Sequence, residues 1–343
     1  MEEVSFAIAG AGLIGRRHVE AIGRARGARV SAIVDPAPEA AEYAAAQGLR
    51  HFGSLEAAFA VRACDAVFLA TPNRLHVEGA LACIGAGLPV LVEKPLDVDP
   101  AAARRLVEAG EAAGVPVLTG HHRRHNPLIE AAKVALEAGE IGRIVSVHAM
   151  FWLMKPDEYF DVPWRRQAGA GPVFVNLIHD LDLMRHLVGE VAAVQAARSN
   201  MVRRNPVEES CVIALEFRNG ALGTANLSDT VVAPWSWELT AGENPAYPAT
   251  QESCYQIGGT QGALDLPAGR IWFHPRKRSW WEPIAARIAP RPAGDPLVRQ
   301  AEQFARVVRD GEAPLVSGRE GLKTLELIDA VRRAAETGRR VVL

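Results

Sequence analysis

The chain is short of the residues that would staple, anchor or charge it. Among its 343 residues there are four cysteines, Cys64, Cys83, Cys211 and Cys254, scattered and without a C-x-x-C pair. That excludes a disulfide framework and a zinc knuckle and points to reduced thiols. Neither sign of charge dominates: 38 Lys and Arg face 40 Asp and Glu, a net charge of −2. Nucleic acid and anionic membrane surfaces are therefore not expected partners. No apolar run is long enough to span a bilayer, and the first apolar strand, from Val4, leaves no room for a signal peptide. A cytoplasmic location is the expectation. Internal repeats and low-complexity segments are lacking too.

What is present is concentrated at the start. The apolar run 4–9 leads straight into Gly10-Ala11-Gly12-Leu13-Ile14-Gly15, a G-x-G-x-x-G that opens a helix. Gly10 permits the tight turn, Gly12 lets a pyrophosphate approach the backbone, and Gly15 lets helix and strand pack closely. The helix N-terminus, with Leu13 and Ile14 in its first turn, offers unpaired N–H groups and the positive end of a dipole. Twenty residues past Gly15, at the end of the next apolar run, stands Asp35. Its carboxylate would accept hydrogen bonds from the adenosine ribose. It would also repel a 2′-phosphate, and Pro36-Ala37-Pro38 supplies no arginine to receive one. The cofactor expected is NAD, with NADP the lesser alternative. Arg16 and Arg17 read as solvated helix charge.

The length suggests two domains. Through residue 120 short continuous apolar runs at 4–9, 29–34, 66–70, 89–92 and 116–119 alternate with helical patterns at 13–26, 38–47, 54–61, 74–86 and 99–114. That is the signature of an α/β Rossmann domain, a doubly wound parallel sheet covered on both faces, with ligands at the carboxyl ends of the strands. The pattern changes in 121–343. Helices are expected at 127–138 and 174–188. Strands are expected at 143–152, 191–198, 211–217, 221–229, 235–241, 253–258, 262–266, 270–274 and 339–342. Turns such as Arg218-Asn219-Gly220 imply antiparallel hairpins, so this part reads as an α+β domain on a large, mostly antiparallel sheet. The segment 275–295 reads as irregular, and helices at 296–310 and 319–337 can pack back towards the first domain.

Several groups fall where the sheets would present chemistry. Thr71-Pro72-Asn73-Arg74-Leu75-His76 follows the strand 66–70 and lies on the ligand edge. Glu93-Lys94-Pro95 follows the strand 89–92 on the same edge, which aims the Lys94 ammonium at the cofactor site; a cis Lys94–Pro95 bond would fix the lysine backbone. In the Gly-rich stretch 169–182, Asn176, His179 and Asp182 recur every three residues and share a helix face. A histidine there suits general-base chemistry near neutral pH, with Asp182 or Asp180 to orient it; a buried, satisfied histidine is the bland alternative. His121, His122 and His125 lack cysteine or carboxylate partners in metal spacing, so no metal is expected.

Together the glycine fingerprint, Thr71-Pro72-Asn73, Glu93-Lys94-Pro95 and the Gly-rich helix ending in His179 resemble the glucose–fructose oxidoreductase/inositol dehydrogenase/rhizopine-catabolism (Gfo/Idh/MocA) family over essentially the whole chain. The resemblance implies hydride transfer between a nicotinamide cofactor and a secondary alcohol of a sugar, cyclitol or sugar acid. It makes Lys94 and His179 the catalytic pair: His179 takes the hydroxyl proton and Lys94 polarises the oxygen, so both must reach one oxygen in an interdomain cleft. Many family members carry an aspartate four residues before the histidine. Here that position is Val175, and Asn176 stands next to it. The aspartate's role is therefore not carried over, and Asn176 becomes a substrate-binding candidate.

By the same resemblance the segment 121–127 passes near nicotinamide and substrate, with His122 and Arg123 facing the cleft; a solvated junction is the alternative. Trp164-Arg165-Arg166 resembles the family's Trp-Arg element, with Trp164 near the cofactor and Arg165 near the substrate. Trp152 and Tyr159 could form an aromatic wall for a sugar ring or simply pack in the core. The arginines hint at an anionic substrate such as a sugar acid. Thr71, Pro72, Asn73, His76, Glu93 and Lys94 join the cofactor-binding set. The family's habit of pairing sheet faces implies a homodimer or homotetramer, and the stretch 280–292 reads as an arm or a lid. Two other activities fit the fold: a redox-neutral, NAD-dependent glycoside cleavage, and a non-catalytic metabolite sensor. Retention of Lys94 and His179 argues against the sensor.

Overall fold

The computed structural model describes residues 3–167 and 169–343. The chain forms two compact units, Met1–Asn126 with Gly294–Leu325, and Pro127–Ala293 with Glu326–Leu343.

The first unit is a doubly wound α/β layer structure. Strands β1 (Val4–Ala9), β2 (Ala28–Val34), β3 (Arg50–Phe52), β4 (Ala66–Leu69), β5 (Val90–Val92) and β6 (Val117–Thr119) are ordered β3-β2-β1-β4-β5-β6, all parallel. β1 and β4 to β6 are buried along their length, so continuous apolar runs were the right signal for them. The crossovers carry helices α1 (Leu13–Ile22), α2 (Pro38–Ala46), α3 (Leu55–Ala60), α4 (His76–Gly85) and α5 (Pro100–Ala113). Strand order reverses between β1 and β4, which is where a doubly wound sheet opens its ligand crevice. Phe6, Phe68 and Phe304 meet there at ring distances of 5.0–5.3 Å. Truncating Phe6 would cost about 3–5 kcal/mol.

The second unit holds α6 (Pro127–Glu137), α7 (Pro172–Val175), α8 (Leu177–Val188), α9 (Trp237–Thr240) and a nine-stranded sheet. The sheet strands are β7 (Ile144–Trp152), β8 (Val191–Ser199), β9 (Ser210–Phe217), β10 (Leu222–Ser228), β11 (Tyr255–Gly259), β12 (Gly262–Leu266), β13 (Arg270–Phe273), β14 (Ala285–Ile288) and β15 (Val341–Val342). Their order is β14-β13-β12-β11-β7-β10-β9-β8-β15, antiparallel except for the central pair β7 and β10. Val147, Ala149 and Phe151 of β7 turn inward onto Leu177, Ile178 and Leu181 of α8. Alternation then sends Met150, with its register partners Asn226, Val212 and Ala197, to the opposite face, where Val212 is half exposed. Helices α10 (Pro296–Asp310) and α11 (Gly318–Thr337) complete the chain; α10 belongs to the first unit and packs on α1.

Four local expectations need correction. The stretch 235–241 is not a strand: the Ser236 hydroxyl accepts from Leu239 N at 3.3 Å and caps the turn α9, while the Trp237 ring stacks on Tyr255. The helix expected at 174–188 is broken at Asn176 into α7 and α8. Strand β3 was missed because three residues show no period. Segment 275–295 is not wholly irregular, because Ala285–Ile288 pairs with β13 as an edge strand. All four cysteines are buried thiols outside any disulfide.

Candidate active site

In the first unit the ligand edge is built by backbone fit. Gly10 takes φ +97°, and a Cβ there would sit 2.5 Å from the Ala70 carbonyl oxygen, at the junction of β1 and β4. A Cβ on Gly15 would lie 1.9 Å from the Gly10 carbonyl oxygen. Gly12, by contrast, has nothing within 4 Å of its missing Cβ and opens the crevice. It caps α1 without a side chain, which leaves the first-turn amides facing out. Leu13 is 85% exposed beside them. The Asp35 carboxylate accepts from Ala11 N at 2.8 Å and Ala37 N at 2.9 Å, so it braces the glycine turn and keeps lone pairs for a further donor. Thr71 Oγ1 is buried and has no hydrogen-bond partner among the described residues. Arg16 is not merely solvated: its guanidinium donates to Ala11 O and lies over the Tyr43 ring at 4.6 Å. An anion-accepting helix start, an open glycine, a braced carboxylate and an orphan hydroxyl are what a dinucleotide needs.

The lysine loop stands on the same edge. The Lys94–Pro95 bond is cis. Glu93 is buried; its Oε1 lies 2.8 Å from His18 Nε2, and its Oε2 accepts from Lys94 N at 3.1 Å. Burial alone would raise its pKa, but the His18 hydrogen bond and the charges of His18, His122 and Lys94 overcome that and hold it at about 2. A Cβ on Gly120 would fall 2.9 Å from that carboxylate, so glycine is needed there. His76 is fully buried, with Nδ1 2.8 Å from Pro95 O and Nε2 2.8 Å from Thr71 O. Glu93 and the His76 imidazole, both expected in the cofactor site, tie the loops of this edge together. Pro72 and Asn73 are exposed on the Thr71 loop.

The histidine cluster forms the 3₁₀ turn His122–His125. Arg123 is buried, and Arg124 pairs with Glu320 at 3.2 Å. Burial, with His122, Arg299, Arg124 and Arg306 around it, pushes His125 down to about 3 and keeps it neutral. Among the described residues no group of three His, Cys, Asp or Glu could hold a metal.

In the second unit His179 is buried on α8, one turn from Asn176. Beside it, Asp180 accepts from the Tyr255 hydroxyl, and Asp182 is 3.9 Å from the Arg185 guanidinium. Lys155, which sequence reading missed, is buried with Nζ 2.8 Å from Asn176 Oδ1 and 3.3 Å from Asp229 Oδ2. Burial lowers its pKa against the opposing pull of Asp229. Arg203 bonds the same aspartate at 2.6 Å. Tyr159 lies under two cations, Lys155 at 5.0 Å and Arg165 at 4.1 Å, and Arg165 also donates to Tyr159 O. Trp164 is half exposed within 5.7 Å of Arg165. Lys155, Tyr159, Arg165 and Asn176 are thus brought together. Trp152 is not: Phe151 takes the inward side of β7, so Trp152 points to the other face of the sheet, where its Nε1 donates to Asn226 Oδ1 at 3.0 Å. Lys155, Arg203 and Asp229 gave no local signal, being joined only by folding across up to 74 positions of chain.

A parallel sheet with this strand order, this glycine turn and an acidic residue just past β2 defines a dinucleotide-binding fold. The chain belongs to the Gfo/Idh/MocA oxidoreductase family: residues 4–121 match its NAD-binding Rossmann fold and residues 133–343 its C-terminal alpha/beta domain. It is 32% identical over 236 residues to an inositol 2-dehydrogenase of Leifsonia xyli subsp. xyli, 67% of each chain. It is 29% identical to a D-xylose 1-dehydrogenase (NADP(+)) of Haloferax volcanii, over 85% of this chain and 84% of the other. The WlbA dehydrogenase of Bordetella pertussis, solved with NADH and UDP-GlcNAcA, superposes with a TM-score of 0.80 at 31% identity, covering 100% of this chain and 99% of that one. The protein is an NAD-binding oxidoreductase. No helix among the described residues is long and apolar enough to cross a membrane.

Proposed function

We propose that the protein moves a hydride between NAD and a secondary alcohol, or the corresponding ketone, of a sugar, cyclitol or sugar acid. The observation that carries this is the Lys94 loop: a lysine on the nucleotide edge whose backbone amide is clamped by a buried carboxylate. The relatives named for inositol and xylose, and the neighbour solved with a uronic-acid sugar nucleotide, support the substrate class. When bound, NAD supplies the hydride acceptor. Gly10, Gly12, Leu13, Ile14 and Gly15 would cradle its pyrophosphate, Asp35 its ribose, with Thr71, Pro72, Asn73 and Trp164 nearby. Braced Asp35 with no receiving arginine at 36–38 favours NAD over NADP.

His179 takes the hydroxyl proton, and the Lys94 ammonium stabilises the alkoxide that develops as hydride leaves. His122, Arg123, Tyr159, Arg165 and Asn176 bind the substrate. The open face of the second unit's sheet makes a homodimer or homotetramer. The test is absorbance at 340 nm with NAD or NADP and a panel of cyclitols, sugars and sugar acids, run in both directions. Lys94→Ala and His179→Ala should each lower kcat about 10²–10⁴-fold with NADH affinity intact. Normal turnover in either variant refutes its role.

A further inference from the structure

Asn176 stands at the break between α7 and α8, where an asparagine ordinarily caps the following helix with its own side chain. Here it makes no side-chain cap. Its Oδ1 instead accepts from Lys155 Nζ at 2.8 Å. Lys155 has little freedom to move. Its backbone N donates to Asp229 O at 2.9 Å, its carbonyl accepts from Arg203, and its ammonium also meets Asp229 Oδ2 at 3.3 Å. Asp229 is itself held by Arg203 at 2.6 Å, and both Lys155 and Asp229 are over nine-tenths buried.

An ammonium can only donate. The amide atom facing it must therefore be the oxygen, and a flipped amide would set N–H against N–H. The Lys155 contact removes the usual two-fold ambiguity of the side chain. It turns the Nδ2 end of a half-buried amide away from the ammonium, one helical turn before His179. We infer that Asn176 acts as a hydrogen-bond donor to an acceptor oxygen of the substrate, a hydroxyl lone pair, carbonyl or carboxylate, and that Lys155 is the positioning residue that fixes this polarity. The inference rests on the proposed reaction. It also accounts for an amide beside the position where many relatives carry a carboxylate: a carboxylate at 176 would satisfy Lys155 equally well but would have nothing to donate.

The test uses the purified full chain and the best substrate of the 340 nm panel. Asn176→Asp keeps an acceptor for Lys155, so its thermal midpoint should equal or exceed that of the wild type. Its KM should rise about tenfold, the cost of one lost hydrogen bond, with a smaller change in kcat. Lys155→Met should raise KM similarly, and the double variant Lys155→Met/Asn176→Ala should be no worse than Asn176→Ala alone. A wild-type KM in Asn176→Asp, or multiplicative effects in the double variant, overturns the inference while leaving the reaction standing. A wild type silent across the panel in both directions refutes the reaction first, and the donor role with it.

Discussion

Replacing Glu93 by glutamine removes the charge of the buried His18–Glu93 pair without changing its size. Three groups feel it: His18 loses a charged hydrogen-bond partner, the Lys94 amide loses a charged acceptor, and the carboxylate's space against Gly120 is filled by an amide. The carboxyl is held at about 2 against an ordinary 4.5. At 1.36 kcal/mol per pKa unit that difference corresponds to about 3 kcal/mol at pH 7. Breaking a buried pair by removing one partner has a cost of the same order, about 3–5 kcal/mol. Because the folded-state pKa is depressed, the contribution is full above pH 4.5 and drains as pH falls towards 2. Most of it should remain at pH 4 and under half at pH 3. Urea unfolding of wild type and Glu93→Gln at several values between pH 7 and 3 reads the gap directly. It should be widest at neutral pH and close on acidification. A gap that is absent at pH 7, or unchanged down to pH 3, refutes the reasoning. Because Lys94 hangs from that carboxylate, kcat should fall in the same variant while NADH affinity changes little.

Asp35→Ala should weaken NADH binding and narrow the preference over NADPH, read by fluorescence titration; unchanged discrimination removes Asp35 from the ribose. Gly15→Ala puts a methyl 1.9 Å from a backbone oxygen that cannot move aside, so NADH binding and thermal stability should fall together. A variant of wild-type affinity would show that the turn is slack. His125, buried and neutral with a pKa near 3, contributes stability that is full above its unfolded value of 6.5 and declines below it. His125→Gln should therefore flatten the loss of stability between pH 6.5 and 5. A slope equal to that of the wild type would assign the loss to other groups.

The first unit was legible because its signals are local. An apolar run, three glycines and an acid twenty residues on are read in one pass, and the strands they announce are buried on both faces. The second unit yielded its sheet through alternation and turn residues but lost α9, whose Ser236 cap looks like any strand-edge serine. The site divides in the same way. Lys94 and His179 stood out from their settings. His18 gave no sign, since a histidine within a helix says nothing of a carboxylate 75 residues later. Lys155 was invisible for the same reason, and an aromatic at a strand end such as Trp152 does not declare its face until Phe151 is known to point inward.

His76 joins two loops, one five residues from it in the chain and the other nineteen. Its ring spans from the Thr71 carbonyl, beside the glycine turn, to the Pro95 carbonyl, next to Lys94. Mechanically it is a crossbar. Parting the rim beside the glycine turn from the rim that carries Lys94 would pull one of these two carbonyls off the buried ring. The glycine turn and the lysine loop are therefore braced by one side chain.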